Sequence, residues 1–268
     1  MKRQLYAISV MIIALLLSAC QPEQKAFVDD ILLPMTPVKN QGDNELCWAY
    51  AMLATIETEH LVRGDSVNLS AIYVGRKLAS YQSTVKGCPK TQRAMCQTLL
   101  NIIQREGIVG YDVMPDDATD ELPMPKWVFM LGARYTPLEF AHSVCAPDEY
   151  LSLTCQPDSP YQQKVEVMVP DNWEHNRLLN IPLDTLKAHT DFALRHRHPV
   201  CWESKSHAMA IVGLAHDLKN RPYYILKNSW GPDEPHGGLV YMSSKKLWED
   251  MVAVYMTRDA YLTYSTSK

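Results

Sequence analysis

QGDNELCWAY, residues 41–50, is the stretch on which the reading of this chain turns. A cysteine follows a polar, acidic turn (Asp43, Asn44, Glu45) and opens the run CWAYAMLATIETEHLVR. In that run Ala51, Ala54 and Thr55 share a stripe with Leu53, Ile56 and Leu61, the spacing of a helix of about four turns. Cys47 is therefore expected at a helix N-terminus. Free N–H groups and the positive end of the helix dipole favour a thiolate there, and the thiolate is the useful nucleophile.

A thiolate needs a base. In SKSHAMAIVGL, His207 begins an apolar, strand-like run, and about twenty residues later YYILKNSWG places Asn228 at the end of a second strand, Tyr223–Leu226. Adjacent strands bring His207 and Asn228 side by side. The Asn side chain then fixes the imidazole, and Trp230 covers that hydrogen bond from water.

At these residues the chain resembles the papain superfamily of cysteine peptidases. The matching pieces are VKNQGDNELCWAYA (38–51), SHAMAIVG (206–213) and ILKNSWG (225–231), in the family's order of Cys, His, Asn. The resemblance implies a two-lobed α+β fold, with a helical lobe and an antiparallel β-sheet lobe. It implies a Cys47–His207–Asn228 triad with Gln41 in the oxyanion hole, a peptide or protein substrate, and no cofactor or metal. TPLEF (136–140), LLNIPLDTLKAH (178–189), HPVCW (198–202) and GGLVYMSSKKLWEDMV (237–252) resemble the bleomycin hydrolase, or aminopeptidase C, branch. The region between Tyr111 and Tyr135 looks like a shortened form of that branch's insert.

The chain also departs from the pattern. Asn44 replaces a usual cysteine, and Glu45-Leu46 replace a usual Gly-Ser. The Gly-Gly pair that binds substrate backbone in the family would fall near Arg93 and Ala94 and is missing. That absence keeps two alternatives open: an amidase or acyl-transfer enzyme of the same fold, and a catalytically weak tethered pseudoenzyme or binding module.

The start of the chain carries a different message. Lys2 and Arg3 precede LYAISVMIIALLL and then SAC, the order of a secretory signal. LSAC, Leu17–Cys20, resembles a bacterial lipobox, which implies lipidation of Cys20 and a membrane anchor at the cell envelope. The expected organisation is a signal peptide at 1–19, a tether at 20–34, and a peptidase domain at 35–262, helical over 35–115 and β-rich over 116–262.

With 268 residues and a net charge of −4, the chain has no basic stripe, which excludes nucleic acid as a partner. An exported chain is permitted disulfides, and Cys88 with Cys96, and Cys145 with Cys155, are near enough in sequence to pair; Cys201 is left over. His196 and His198 read as the basic end of a helix capped by Asp184 and stopped by Pro199, rather than as metal ligands. Leu99, Leu100, Ile102 and Ile103 read as a core helix face, Glu57 as a structural carboxylate, and Asp116-Asp117 as a solvated loop.

Overall fold

The computed structural model describes residues 26–266. The signal peptide at 1–19, Cys20 and the first part of the expected tether lie outside the described residues. The elements are β1 (Phe27–Leu32), α1 (Cys47–Arg63), α2 (Ala71–Thr84), α3 (Cys96–Glu106), a hairpin of β2 (Val128–Met130) and β3 (Ala133–Tyr135), and α4 (Pro137–Val144). They continue through β4 (Tyr150–Thr154), β5 (Gln163–Glu166), β6 (Arg177–Asn180), α5 (Leu183–Arg195), β7 (Val200–Ser204), β8 (Ala208–Asp217) and β9 (Pro222–Lys227). The last are β10 (Leu239–Ser243), α6 (Ser244–Asp250), β11 (Met251–Thr257) and α7 (Arg258–Thr266).

Helix α1 begins at Cys47, as its sequence predicts, and ends at Gly64, whose left-handed φ of 87° lets its N–H reach the His60 and Leu61 carbonyls. Every residue from Trp48 to His60 is buried, not one stripe alone. The helix is enclosed: it packs on β7 and β8 on one side and on α2 and α3 on the other. A helix apolar or small on all faces is suited to that position. In α3, Leu99, Leu100, Ile102 and Ile103 are all buried, the core face that the sequence indicates.

The sheet runs β10-β9-β8-β7-β11-β4-β6-β5. It is antiparallel except for β4 and β6, which pair in parallel through Leu153↔Leu179 and Thr154↔Asn180. Both faces are covered, so its central strands alternate between two cores rather than between core and water. Cys201, Ala253 and Tyr255 face the core shared with the helices. Val200, Trp202, Val254 and Met256 face a second core built with α5, α6 and α7.

Three boundaries differ from expectation. Residues 27–32, read as tether, form β1 and pair with β8, register Phe27↔Asp217 to Leu32↔Gly213. A free edge of β8 attracts any extended polar–apolar strand that can reach it. The helical side does not end at 115, because α4 packs on α3 and buries Phe140, Ala141 and Val144 in the helical core. Helix α7 carries the fold past 262, to Thr266. Asp184 is not a cap either: α5 starts at Leu183 after Pro182, and Asp184 lies in its first turn.

Two buried charged groups join the layers. Glu57 is fully buried and accepts from Thr36 Oγ1 (2.5 Å), Lys39 Nζ (2.5 Å) and the Leu69 N–H (2.7 Å). Thr36 in turn accepts from Lys227 Nζ at 2.7 Å. This is the structural carboxylate expected, but its partners reach across to β9. Replacing Glu57 by Gln leaves Lys39 and Lys227 without a counter-charge in the interior. A loss of about 3–5 kcal/mol in urea unfolding is expected.

Burial, with the repulsion of Lys39 and against the attraction of Glu57, pushes Lys227 down to about 8. The unfolded chain, with a lysine at the ordinary value of about 10.4, binds more protons than the folded one between these pH values. The Lys227 contribution therefore rises with pH across that window, by an amount on the order of 3 kcal/mol. Denaturation midpoints of wild type and Lys227→Met, compared from pH 8 to about 10.5, are expected to move in the wild type's favour.

Candidate active site

The turn before α1 is held by its own side chains. Gly42, at φ 57°, donates to Asn40 Oδ1 (2.9 Å), and the Leu46 N–H donates to Asn44 Oδ1 (3.0 Å). The strand-like segment at 39–41 runs antiparallel to 229–231: Gln41 N–H donates to the Ser229 carbonyl (2.8 Å) and Gly231 N–H to the Lys39 carbonyl (3.0 Å). The turn before Cys47 is thus tied directly to the chain that follows Asn228.

Gln41 is gripped at both amide atoms. Its Oε1 accepts from Ser229 Oγ at 2.6 Å, and its Nε2 donates to the Asn44 carbonyl at 2.7 Å. Nε2 carries two hydrogens, so a second donor remains for another oxygen.

His207 ends a tight turn in which Ser204 Oγ donates to the His207 carbonyl at 2.9 Å and accepts from the His207 N–H at 3.1 Å. Strands β8 and β9 pair with Ala210 opposite Lys227, which leaves His207 and Asn228 together just beyond the ladder. His207 Nε2 lies 2.8 Å from Asn228 Oδ1. The Ser229 N–H also donates to that Asn228 atom, at 2.9 Å, so the atom is the oxygen and not the NH2. Nε2 therefore carries the hydrogen, and Nδ1 holds the lone pair of the neutral ring. The Trp230 indole stacks over the imidazole, centroids 5.1 Å apart.

The Cys47 sulfur is within reach of the Ala208 and Trp48 N–H groups. The strand that starts after His207 thus touches the thiol at its first residue. Burial pushes the thiol above its ordinary value; the Ala208 N–H and the Arg93 charge oppose this, and Glu203 adds to it. Burial likewise pushes His207 down, against the Asn228 hydrogen bond and helped by Arg93. The depressed thiol expected from the helix terminus alone is not what this environment favours. Each group taken singly is held neutral. A thiolate and an imidazolium formed together would each offset the other's cost of burial.

Arg93, one of the two residues at which the resemblance places a Gly-Gly pair, reaches Asp171 and the turn before His207. Nε donates to Asp171 Oδ1 (3.0 Å), and Nη2 to Asp171 Oδ2 (2.6 Å) and the Lys205 carbonyl (3.2 Å). The Arg93 and Gln92 carbonyls accept from the indoles of Trp173 (3.0 Å) and Trp48 (2.8 Å). Asp171 had no signal in the sequence, since it lies 78 residues from its partner. Asp116 is more than part of a solvated loop: it accepts from Tyr50 Oη (2.8 Å) and the Asn40 N–H (3.2 Å), which makes it a brace between α1 and the turn before Cys47.

His196 and His198 turn to different partners. His196 stacks on Phe192, and His198 Nδ1 lies 3.0 Å from Glu59 Oε1.

Residues 28–257 match the model of the papain family of cysteine proteases. The chain belongs to this family. Ananain of Ananas comosus is 24% identical over 78% of this chain and 52% of its own length. A viral cathepsin of Epiphyas postvittana nucleopolyhedrovirus is 25% identical over 74% of this chain and 53% of its own. The papain-family chain described here thus spans about half the length of these relatives. Its fold is that of PepW from Lactobacillus rhamnosis HN001, with TM-score 0.67 and 16% identity, covering 90% of this chain and 86% of that one. It is also that of digestive procathepsin L 3 of Tenebrio molitor, with TM-score 0.52 and 18% identity, covering 89% and 71%.

Asn228→Ala removes the acceptor of both the imidazole and the buried Ser229 N–H. It is expected to cost about 1–3 kcal/mol in unfolding experiments. In 15N NMR spectra, His207 is expected to lose its bias toward the Nε2–H form, whereas Asn228→Asp retains it.

Proposed function

We propose that this chain is a cysteine peptidase in which Cys47, His207 and Asn228 act as a triad. The observation that carries the reading is the His207 Nε2 to Asn228 Oδ1 bond, with Ser229 fixing the amide's orientation, because it presents Nδ1 as the base. Cys47 Sγ attacks the amide carbonyl as its proton passes to His207 Nδ1. The imidazolium returns that proton to the leaving amine, a thioester forms, and water releases the acid. The second Nε2 hydrogen of Gln41 and a backbone N–H at the start of α1 receive the developing oxyanion. Asn228 keeps the ring in place, and Trp230 shields it.

The Arg93–Asp171 bridge favours short acyl segments, hence aminopeptidase action over internal cleavage. The second-half pattern that resembles the bleomycin hydrolase branch supports the same reading. The bridge also favours, as a second reading, an amidase or acyl transferase on small amides. Lipidation of Cys20 would hold the enzyme at a bacterial cell envelope. Support for that rests on the LSAC stretch, which lies outside the described residues; no helix among the described residues is long and apolar enough to cross a membrane.

Iodoacetamide labelling of Cys47 across pH tests the triad. Labelling that stays fast well below a free thiol's value of about 8.5, and that falls in His207→Ala, is expected. A rate equal to that of the other accessible thiols would overturn the reading. With fluorogenic amides, Cys47→Ala should abolish turnover and His207→Ala should lower kcat by roughly 10²–10⁴-fold. Gln41→Ala should lower it by about 10²–10³-fold. Substrates with a free N-terminal residue should outrun N-blocked longer peptides; the reverse result would indicate an endopeptidase.

A further inference from the structure

Six cysteines lie among the described residues, and none is bonded. The two pairs suggested by sequence proximity are not brought together. Cys145 is buried in the core shared by helices and sheet, whereas Cys155 packs at the edge of the second core, on the other face of the sheet. Cys88 is partly exposed, but Cys96 turns inward. Its Sγ lies 3.5 Å from Cys201 Sγ, across 105 residues of sequence.

We propose that Cys96 and Cys201 form a disulfide that fastens the helical side of the molecule to the sheet beneath the nucleophile. Cys96 is the first residue of α3, and Cys201 is the second residue of β7, so the bond would cross the interface between the two sides. Both side chains are fully buried, and Cys96 Sγ is also 3.4 Å from the Trp48 carbonyl, the residue after Cys47. The surrounding groups hold this corner in register. The Cys96 N–H donates to Glu203 Oε1 (3.2 Å), and Tyr255 Oη donates to Glu203 Oε2 (2.6 Å). Burial pushes the Glu203 carboxyl up to about 8, against the hydrogen bonds that it accepts from Tyr255 and Cys96.

The bond needs an oxidant, and a disulfide-exchange partner such as oxidised glutathione is sufficient. The thiolate of one cysteine attacks the oxidant's disulfide and expels one small thiol, leaving a mixed disulfide. The second cysteine's thiolate attacks that mixed disulfide at the protein sulfur and expels the second small thiol. Two protons leave the cysteines, and two electrons pass to the oxidant. Burial raises the Cys96 thiol far above its ordinary value, so exchange is slow once the interface has closed. The bond therefore forms as the two sides dock during folding.

The full-length protein, refolded in a glutathione redox buffer, would be acid-quenched, denatured, treated with N-ethylmaleimide without reduction, and digested for mass spectrometry. A linked peptide pair carrying Cys96 and Cys201, with Cys47, Cys88, Cys145 and Cys155 alkylated, is the expected result. Alkylation of both Cys96 and Cys201, or a link from either one to Cys47 or another cysteine, overturns the proposal. A second readout is the denaturant midpoint. Reduction by dithiothreitol should lower it in the wild type and leave it unmoved in Cys201→Ser. An equal response in both proteins also overturns the proposal.

Discussion

The pairing of β8 with β9 is the constraint on which the site depends. One edge of β8 is occupied by β9; the other is shared end to end by β7 and β1. With both edges taken and both faces buried, β8 cannot slide. A slip of one residue would exchange its two apolar faces and carry Asn228 away from His207. The pair lies just outside the last ladder positions, where side chains are free to meet while their backbones remain anchored. Segments 39–41 and 229–231 extend the same antiparallel logic to the turn before Cys47.

The interior on either side of α1 is more polar than its composition suggests. Behind the helix, Thr36, Lys39, Glu57 and Lys227 form one connected group. Under its start, Glu203, Tyr255, Cys96 and Cys201 form another. Buried polar groups of this kind are costly when broken and specify one arrangement when complete. Both groups draw members from helices and sheet, so they fix how the two sides meet. The catalytic pair proposed here shares its environment with these groups: Glu203 and Arg93 both act on the Cys47 thiol, in opposite directions.

Much of this was legible in the sequence, and for identifiable reasons. The helix at Cys47 declares itself by local periodicity, and the structure begins and ends it with the run CWAYAMLATIETEHLVR. The strand after His207 and the strand before Asn228 are apolar runs, and Asn228 beside Trp230 is a local pattern. Asp171, Asp116 and the Cys96–Cys201 approach were not legible. Each depends on residues tens of positions apart that meet only after lobes dock, and no spacing rule reports such a meeting. Strand β1 gives little signal because FVDDIL alternates weakly and four of its six residues are exposed. It is a strand only because β8 offers it an edge. The rise of the thiol's proton affinity was missed for a related reason: a helix terminus is a local feature, whereas desolvation is set by everything packed around it.

The sequence by itself determined the order and type of the elements around Cys47, His207 and Asn228, since helix and strand periods, a C-terminal glycine and short polar turns act over a few residues. Only the tertiary structure decided which nitrogen of His207 pairs with Asn228, what Arg93 binds, and which cysteines face each other. Those outcomes are set by distances of a few ångströms between segments remote in the chain. Such distances exist only once two layers have closed over a common core.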